Sequence, residues 1–175
     1  MEIKDCYWLP DLITMNDFGG DWQDYDNFLY EVFRGDFIKN NVFFRGKIVR
    51  VRHSPEINDK IQGYFHVTSE NSSKSNDPND RIPDLRRCER ISWIRKLIEN
   101  HGCKKGCCSL PKTWVEDYKG KDRWHILLEN YKFLVVLEER ERYFLLITSF
   151  YLESDSQIRK KLEKYNQYKQ KTPIS

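Results

Sequence analysis

A chain of 175 residues with formal net charge +3, 39% apolar and 33% charged residues fits one domain with a sizeable core. Ten Phe, ten Tyr and five Trp argue against disorder despite the polar average. No run of about 18 apolar residues is present, and the acidic start MEIKDCYWLPD is no secretory signal, so a cytoplasmic protein with no membrane partner is expected.

The charge is uneven. Residues 1–40 carry three bases and nine acids, residues 81–96 six bases and two acids, and residues 158–172 six bases and one acid. Basic segments attract nucleic acid or acidic partners, or are solvated helix faces. Five cysteines, an odd count without an export signal, argue against structural disulfides.

In chain order, residues 1–19 read as an irregular or short helical lead. Trp22, Tyr25, Leu29, Val32, Phe33 and Phe37 recur in steps of three and four, which predicts a helix over 21–39, broken or kinked near Gly35. Residues 42–53 and 61–69 alternate and predict two strands. In the second, Tyr64, His66 and Thr68 share an open face, and Phe65 and Val67 face the core. A polar loop, 70–80, leads to Pro83 and Asp84, which suit the start of a helix running to about Asn100. That helix buries Leu85, Cys88, Ile91 and Ile98. A short strand is expected around Thr113–Glu116, then strands over Asp122–Leu128, Tyr131–Glu139 and Arg142–Tyr151, with Glu129-Asn130 as a two-residue hairpin loop. The last two strands are apolar on both faces and so central. A basic helix from Ser156 to about Lys171 closes the chain, capped by Ser154 or Asp155. The expected fold is α+β, a mostly antiparallel sheet with N-terminal, central and C-terminal helices packed on it. It forms one domain, 1–175: residues 1–40 are its helical part, and 42–171 its sheet and remaining helices.

Chemistry concentrates between Tyr64 and Trp93. Arg86, Arg87 and Arg90 share one face of a helix, and Trp93 lies one turn on. Three guanidiniums can fork onto a phosphate while an indole stacks on a base. Alternatively, Arg86 and Arg90 pair with Asp84, Glu89 or other acids and staple the helix to the acidic N-terminal segment. His66 has the side chain for acid–base work near neutrality; Glu70 can orient it, carry a second proton or be an ordinary surface acid. Arg81 adds a further cation before the helix. In the last strand Tyr143, Ile147 and Ser149 share one face and Thr148 takes the other. Its hydroxyls either position substrate oxygens or mark a strand end. Together these are parts of a ribonuclease site that uses the RNA 2′-OH as nucleophile, with no metal or cofactor. His101, Cys103, Cys107 and Cys108 offer soft ligands in eight residues. They lack a second paired element for zinc unless Cys88 or Cys6 completes the set, and buried or reactive thiols are the other reading.

The combination FHVTSE, RIPDLRRCERISW, YKFLVVLEERERYFLLITSFY and RKKLEKY resembles a family of small bacterial proteins of unassigned function associated with phages and mobile elements. That family's pattern runs FHL-SE, R-PDLRRCERI-W, YLVVL-R--Y-L-TAY and a basic KL-KEY helix. The resemblance covers about residues 21–170. Ser149 stands where the pattern favours Ala, and the cysteine-rich turn is outside it. More remotely, the layout is similar to the barnase–EndoU–colicin–RelE class of ribonucleases. That similarity implies a curved antiparallel sheet whose concave face cuts RNA, with His66, Arg87, Arg90, Tyr143 and Thr148 or Ser149 at the catalytic positions. Glu70, Arg81, Arg86, Trp93 and Ser149 are the expected substrate-binding set. The expected function is a metal-independent ribonuclease, a toxin or phage-defence effector, with RNA and a cognate inhibitor as partners. The alternatives are a non-catalytic nucleic-acid-binding module and a protein–protein adaptor of a mobile-element system.

Overall fold

The computed structural model describes residues 6–72, 77, 80–105 and 110–172. After a single 3-10 turn, Met15–Phe18, helix α1 spans Trp22–Phe37. The Asp21 carboxylate accepts from the Asp24 N–H at its start. Tyr25, Leu29, Phe33 and Phe37, four residues apart, form its buried stripe. The helix runs through Gly35 without a break.

Residues 42–53 do not form the single strand their alternation predicts. They make a hairpin of β1 (Phe43–Phe44) and β2 (Lys47–Arg50), turned by Arg45 and Gly46, both at positive φ. The strand expected over 61–69 is instead helix α2, Gln62–Thr68. Ile61, Tyr64, Val67 and Thr68 are buried at helical spacing, a pattern that seven residues cannot distinguish from alternation. Strands β3 (Ser69–Asn71) and β4 (Arg81–Pro83) pair with each other. The helix expected from Pro83 to Asn100 is two, α3 (Leu85–Glu89) and α4 (Ile91–Glu99), separated at Arg90, whose ψ of 14° leaves the helical region. Leu85, expected in the core, is exposed; Cys88, Ile91 and Ile98 are buried as expected, with Ile94 and Leu97 beside them.

Strands β5 (Lys112–Tyr118), β6 (Lys121–Leu128), β7 (Phe133–Glu139) and β8 (Tyr143–Tyr151) follow near their expected bounds. In place of the two-residue loop expected at Glu129-Asn130, the β6–β7 link is a 3-10 turn, Glu129–Tyr131, followed by Lys132 at positive φ. Helix α5 spans Asp155–Lys171 and starts with a capping box of Ser154 and Gln157.

The result is an α+β fold. Its six-stranded sheet has the order β1-β2-β8-β7-β6-β5, antiparallel except for the parallel pair β2–β8. One face, through Ile126, Phe133, Val135, Leu137 and Phe144, packs on α1 and α4. On the other, Trp114, Leu127, Leu134 and Val136 lie under Ile158, Leu162 and Tyr165 of α5. No α5 side chain is fully buried, and the rest of that sheet face is open. Cys6 is disulfide-bonded, which corrects the expectation from cysteine count: a count does not show which thiols folding brings together. Among the described residues no helix is long and apolar enough to cross a membrane.

Candidate active site

The arginine segment is structural for most of its length. Strand β2 covers the edge of β8 only as far as Leu145. Beyond that point α2 and α3 seal the edge. The Ser149 hydroxyl donates to the Val67 carbonyl at 3.1 Å, and the Thr148 hydroxyl to the His66 carbonyl at 2.8 Å. The hydroxyls that interrupt this apolar strand therefore hold the end of α2. Arg87 stacks over Phe150, and Arg86 and Arg90 over Tyr151, at 4.7, 5.0 and 4.4 Å from the ring centroids. Arg87 is buried; its Nε donates to Asp84 and a terminal nitrogen to the Ser69 carbonyl. Arg81 donates to the same carbonyl and to Asn71. Arg90 is buried and donates to Glu89 and the Arg86 carbonyl. The Trp93 indole is buried and donates to the Pro10 carbonyl at 2.8 Å, so no open stacking platform exists there. Of the pairing alternative, only the Arg90 part is met, and by Glu89 of its own segment rather than by an N-terminal acid; Asp84 pairs with Arg87 instead of Arg86. Arg86 stays exposed without an ion pair among the described residues.

His66 has a different setting. Near the end of α2, half-buried, it lines a cavity of about 210 Å³ with Arg52, Arg123, Leu145, Leu146 and Ile147. Burial, then Arg81 and Arg52, push its pKa down to about 4. Glu70 lies on β3 and is exposed. Tyr143 pairs with Ile48 at the start of β8 and is not among the residues lining this cavity or its neighbour.

A bulge in β8 builds the neighbour. Leu146 pairs with Leu137, but Thr148 pairs with Val136, so Ile147 is an inserted residue. Alternation predicts Ile147 and Ser149 on one face and Thr148 on the other. The extra residue instead puts Ile147 and Thr148 on the open face and turns Ser149 into the core. A second cavity, of about 250 Å³, is lined by Glu116, Tyr118, Arg123, His125, Thr148 and Lys161, among others. It shares Arg123 and Ile147 with the His66 cavity, so the two form one groove across the sheet.

The part of this groove around His125 and Arg123 is braced. His125 is buried and stacks on Trp114, with ring centroids 5.1 Å apart and planes 13° from parallel. Its Nδ1 donates to the Arg123 carbonyl at 3.1 Å. A carbonyl only accepts, so Nδ1 carries the proton and Nε2 is the basic nitrogen of the neutral ring. Burial is the main reason its pKa is pushed down to about 4; Lys161 and Arg123 add to the shift, and Glu116 and the Arg123 carbonyl oppose it. For Glu116, burial disfavours ionisation. The Trp114 N–H at 2.8 Å and the charges of His125, Lys161 and Lys164 outweigh it and hold the carboxyl below its usual range. Arg123 is fixed from two sides. Its Nε donates to the buried Glu138 at 3.0 Å, and its guanidinium lies 3.6 Å from the Tyr118 ring centroid. Glu138 also meets Arg140 and Lys121. Burial works against its charge, but Arg123, Arg140 and Lys121 together keep its pKa low.

The cations around the groove differ from those of the arginine segment. Among the described residues, Arg52, Lys160, Lys161 and Lys164 make no ion pair, whereas Arg87 and Arg90 each have an acid. His125, Glu116, Arg123 and Lys161 were not singled out from the sequence. The signal was nevertheless there: a two-residue turn at Lys119-Gly120 sets Glu116 opposite Arg123 and Trp114 opposite His125. Of the zinc candidates, Cys107 and Cys108 lie outside the described residues. His101 Nδ1 is 2.8 Å from the Ile98 carbonyl, and its ring packs on Phe44. Comparison with protein-family models, curated proteins and solved structures finds no match to the chain.

Proposed function

We propose that the chain is a metal-independent ribonuclease working in the groove between His66 and His125. The observation that carries this reading is one cleft with a neutral imidazole on either side of a fixed guanidinium, bordered by cations without acidic partners. A phosphodiester seated on Arg123 meets Arg52 on one side and Lys161 on the other. His125 Nε2 takes the proton of the ribose 2′-OH as the 2′-oxygen bonds to phosphorus. Arg123 and Lys161 stabilise the charge gathering on the phosphoryl oxygens. The bond to the 5′-oxygen breaks, and the imidazolium of His66 returns a proton to it. The products are a 2′,3′-cyclic phosphate and a free 5′-hydroxyl. This reading moves the reaction off Arg87 and Arg90, keeps His66, and leaves Thr148 as a wall of the site. As a toxin or defence effector, such an enzyme would act on cellular RNA and be restrained by a cognate inhibitor.

Its test is cleavage of a labelled single-stranded RNA by the purified chain, with the cyclic phosphate identified in the product. His125→Ala and His66→Ala should each slow cleavage by about 100-fold or more, and a 2′-deoxy substrate should survive. The free protein holds both imidazoles near pKa 4, and the acid must be protonated. Hence kcat/KM should rise as pH falls from about 7 towards 5, by roughly tenfold per unit. Absence of cleavage across that range, or full activity in His125→Ala, overturns the assignment. Binding of RNA without cleavage would identify the non-catalytic module instead.

A further inference from the structure

The groove does not end at His125. A third cavity, of about 320 Å³, lies between α5 and the end of β8 and shares Glu116, Phe150 and Lys161 with the second. Phe150 and Leu152 supply apolar surface, and Gln157, Lys160 and Lys164 stand around it. We propose that this cavity is a subsite for one unpaired base next to the cleaved phosphate, so that the substrate is single-stranded RNA. This inference rests on the ribonuclease reading of the neighbouring groove.

Four features support it. First, the cavity joins apolar surface to a cationic border, which matches a base with its flanking phosphates. Second, the Phe150 ring is held in place by the Arg87 guanidinium 4.7 Å from its centroid, so it is a prepared stacking surface. Third, Lys160, Lys161 and Lys164 fall together on α5, where Lys160 and Lys164 are like charges four residues apart. That spacing weakens a helix unless an anion lies between the charges. Fourth, the capping box uses the Gln157 carbonyl oxygen, which accepts from the Ser154 N–H at 3.2 Å. Its amide NH₂ remains to donate to acceptors on a base edge. A base inside a duplex is stacked and paired on both sides and cannot turn into a pocket walled by a helix and a strand.

The experiment measures binding apart from chemistry, by fluorescence anisotropy with a short RNA blocked at every 2′-oxygen. The blocked single strand should bind at least about tenfold more tightly than the same sequence as a duplex. Phe150→Ala should weaken single-strand binding by about tenfold. Because Phe150 also packs in the smaller core, the exposed pair Lys160→Ala/Lys164→Ala serves as the second variant. It should lower the slope of log affinity against log salt by about one to two. Equal affinity for single strand and duplex, or an unchanged salt slope in the double variant, overturns the subsite. Cleavage accompanied by either result removes the subsite and leaves the ribonuclease reading. Single-strand preference without cleavage does the reverse, and neither binding nor cleavage removes both.

Discussion

Acid should destabilise this protein through His125 well before its carboxylates are titrated. The ring is buried against Trp114 and held neutral, with its pKa lowered from 6.5 to about 4. The unfolded chain therefore takes up a proton near pH 6.5 that the folded chain refuses until about pH 4. Stability from this group is full above the higher value and drains as pH falls through that window. The whole shift corresponds to about 3 kcal/mol, of which about 2 kcal/mol is gone by pH 5. Glu116 faces the ring and favours its protonation, and Lys161 and Arg123 oppose it; the net direction is set by burial. Half-buried His66 titrates in the same window, so the wild type alone does not isolate the effect. The assay is urea unfolding of wild type and His125→Gln at about pH 7.5 and pH 5. The wild type's advantage over the variant should shrink by about 2 kcal/mol between the two conditions. NMR titration of the folded protein should place the His125 transition near 4. An advantage that does not change with pH, or a transition near 6.5, refutes the reasoning.

Three substitutions test the frame around the groove. Ser149→Ala removes the hydroxyl that donates to the Val67 carbonyl at a fully buried site and should cost about 1–2 kcal/mol in urea unfolding. Arg87→Ala leaves Asp84 without its guanidinium and should cost about 3 kcal/mol. Arg87→Lys should recover little of it, because an ammonium cannot bridge Asp84 and Ser69 as the fork does; the folded fraction of either variant should still cleave RNA. Gly63→Ala sets helix propensity against space. Alanine would favour a helix by about 1 kcal/mol, but its Cβ would lie 3.1 Å from the backbone N and O of Arg52 and 3.2 Å from Val51 Cβ. That backbone is tied to α2 by the Gly63 N–H at 2.8 Å and cannot yield freely. Net destabilisation of about 1–3 kcal/mol is expected, with weaker RNA binding as Arg52 is displaced. A more stable Gly63→Ala would refute the close-contact argument.

Whether an element was legible in the sequence depended on whether its own residues decided its form. Helix α1 declares itself through Tyr25, Leu29, Phe33 and Phe37, and β7 through an unbroken apolar run buried on both faces. Helix α2 does not. Its order Tyr-Phe-His-Val-Thr alternates as well as it spirals. The contacts that favour a helix come from distant residues: Thr148 and Ser149 on its last carbonyls, and Arg52 against Gly63. The arginine segment was visible as charge. Its partners, Asp84, Ser69, Phe150 and Tyr151, come partly from β8, some sixty residues away, so structure alone distinguishes fastening from binding. His125 escaped notice because it sits in an apolar strand. Counting back through the Lys119-Gly120 turn would have paired its strand with Glu116.

The short β2 strand explains why the cations divide as they do. Had β2 run the length of β8, backbone pairing would have closed the sheet edge and no arginine would be needed there. Because it stops opposite Leu145, the exposed end of β8 requires hydroxyl donors for α2 and flat cations for Phe150 and Tyr151. Arg86, Arg87 and Arg90 fill that role and, for the last two, acids complete it. The same early stop sends the chain away at Arg50, which leaves Arg52 exposed beside His66 with no ion pair among the described residues. On the far side, α5 covers only the flank of the sheet, so its Lys161 lines the same cavity as Arg123 rather than a core. A cation's place in the sequence is thus a poor guide to its task here. Having no partner across an open cleft is the better one, and by that criterion Arg52, Lys161 and the terminal nitrogens of Arg123 are the groups placed to hold a phosphate.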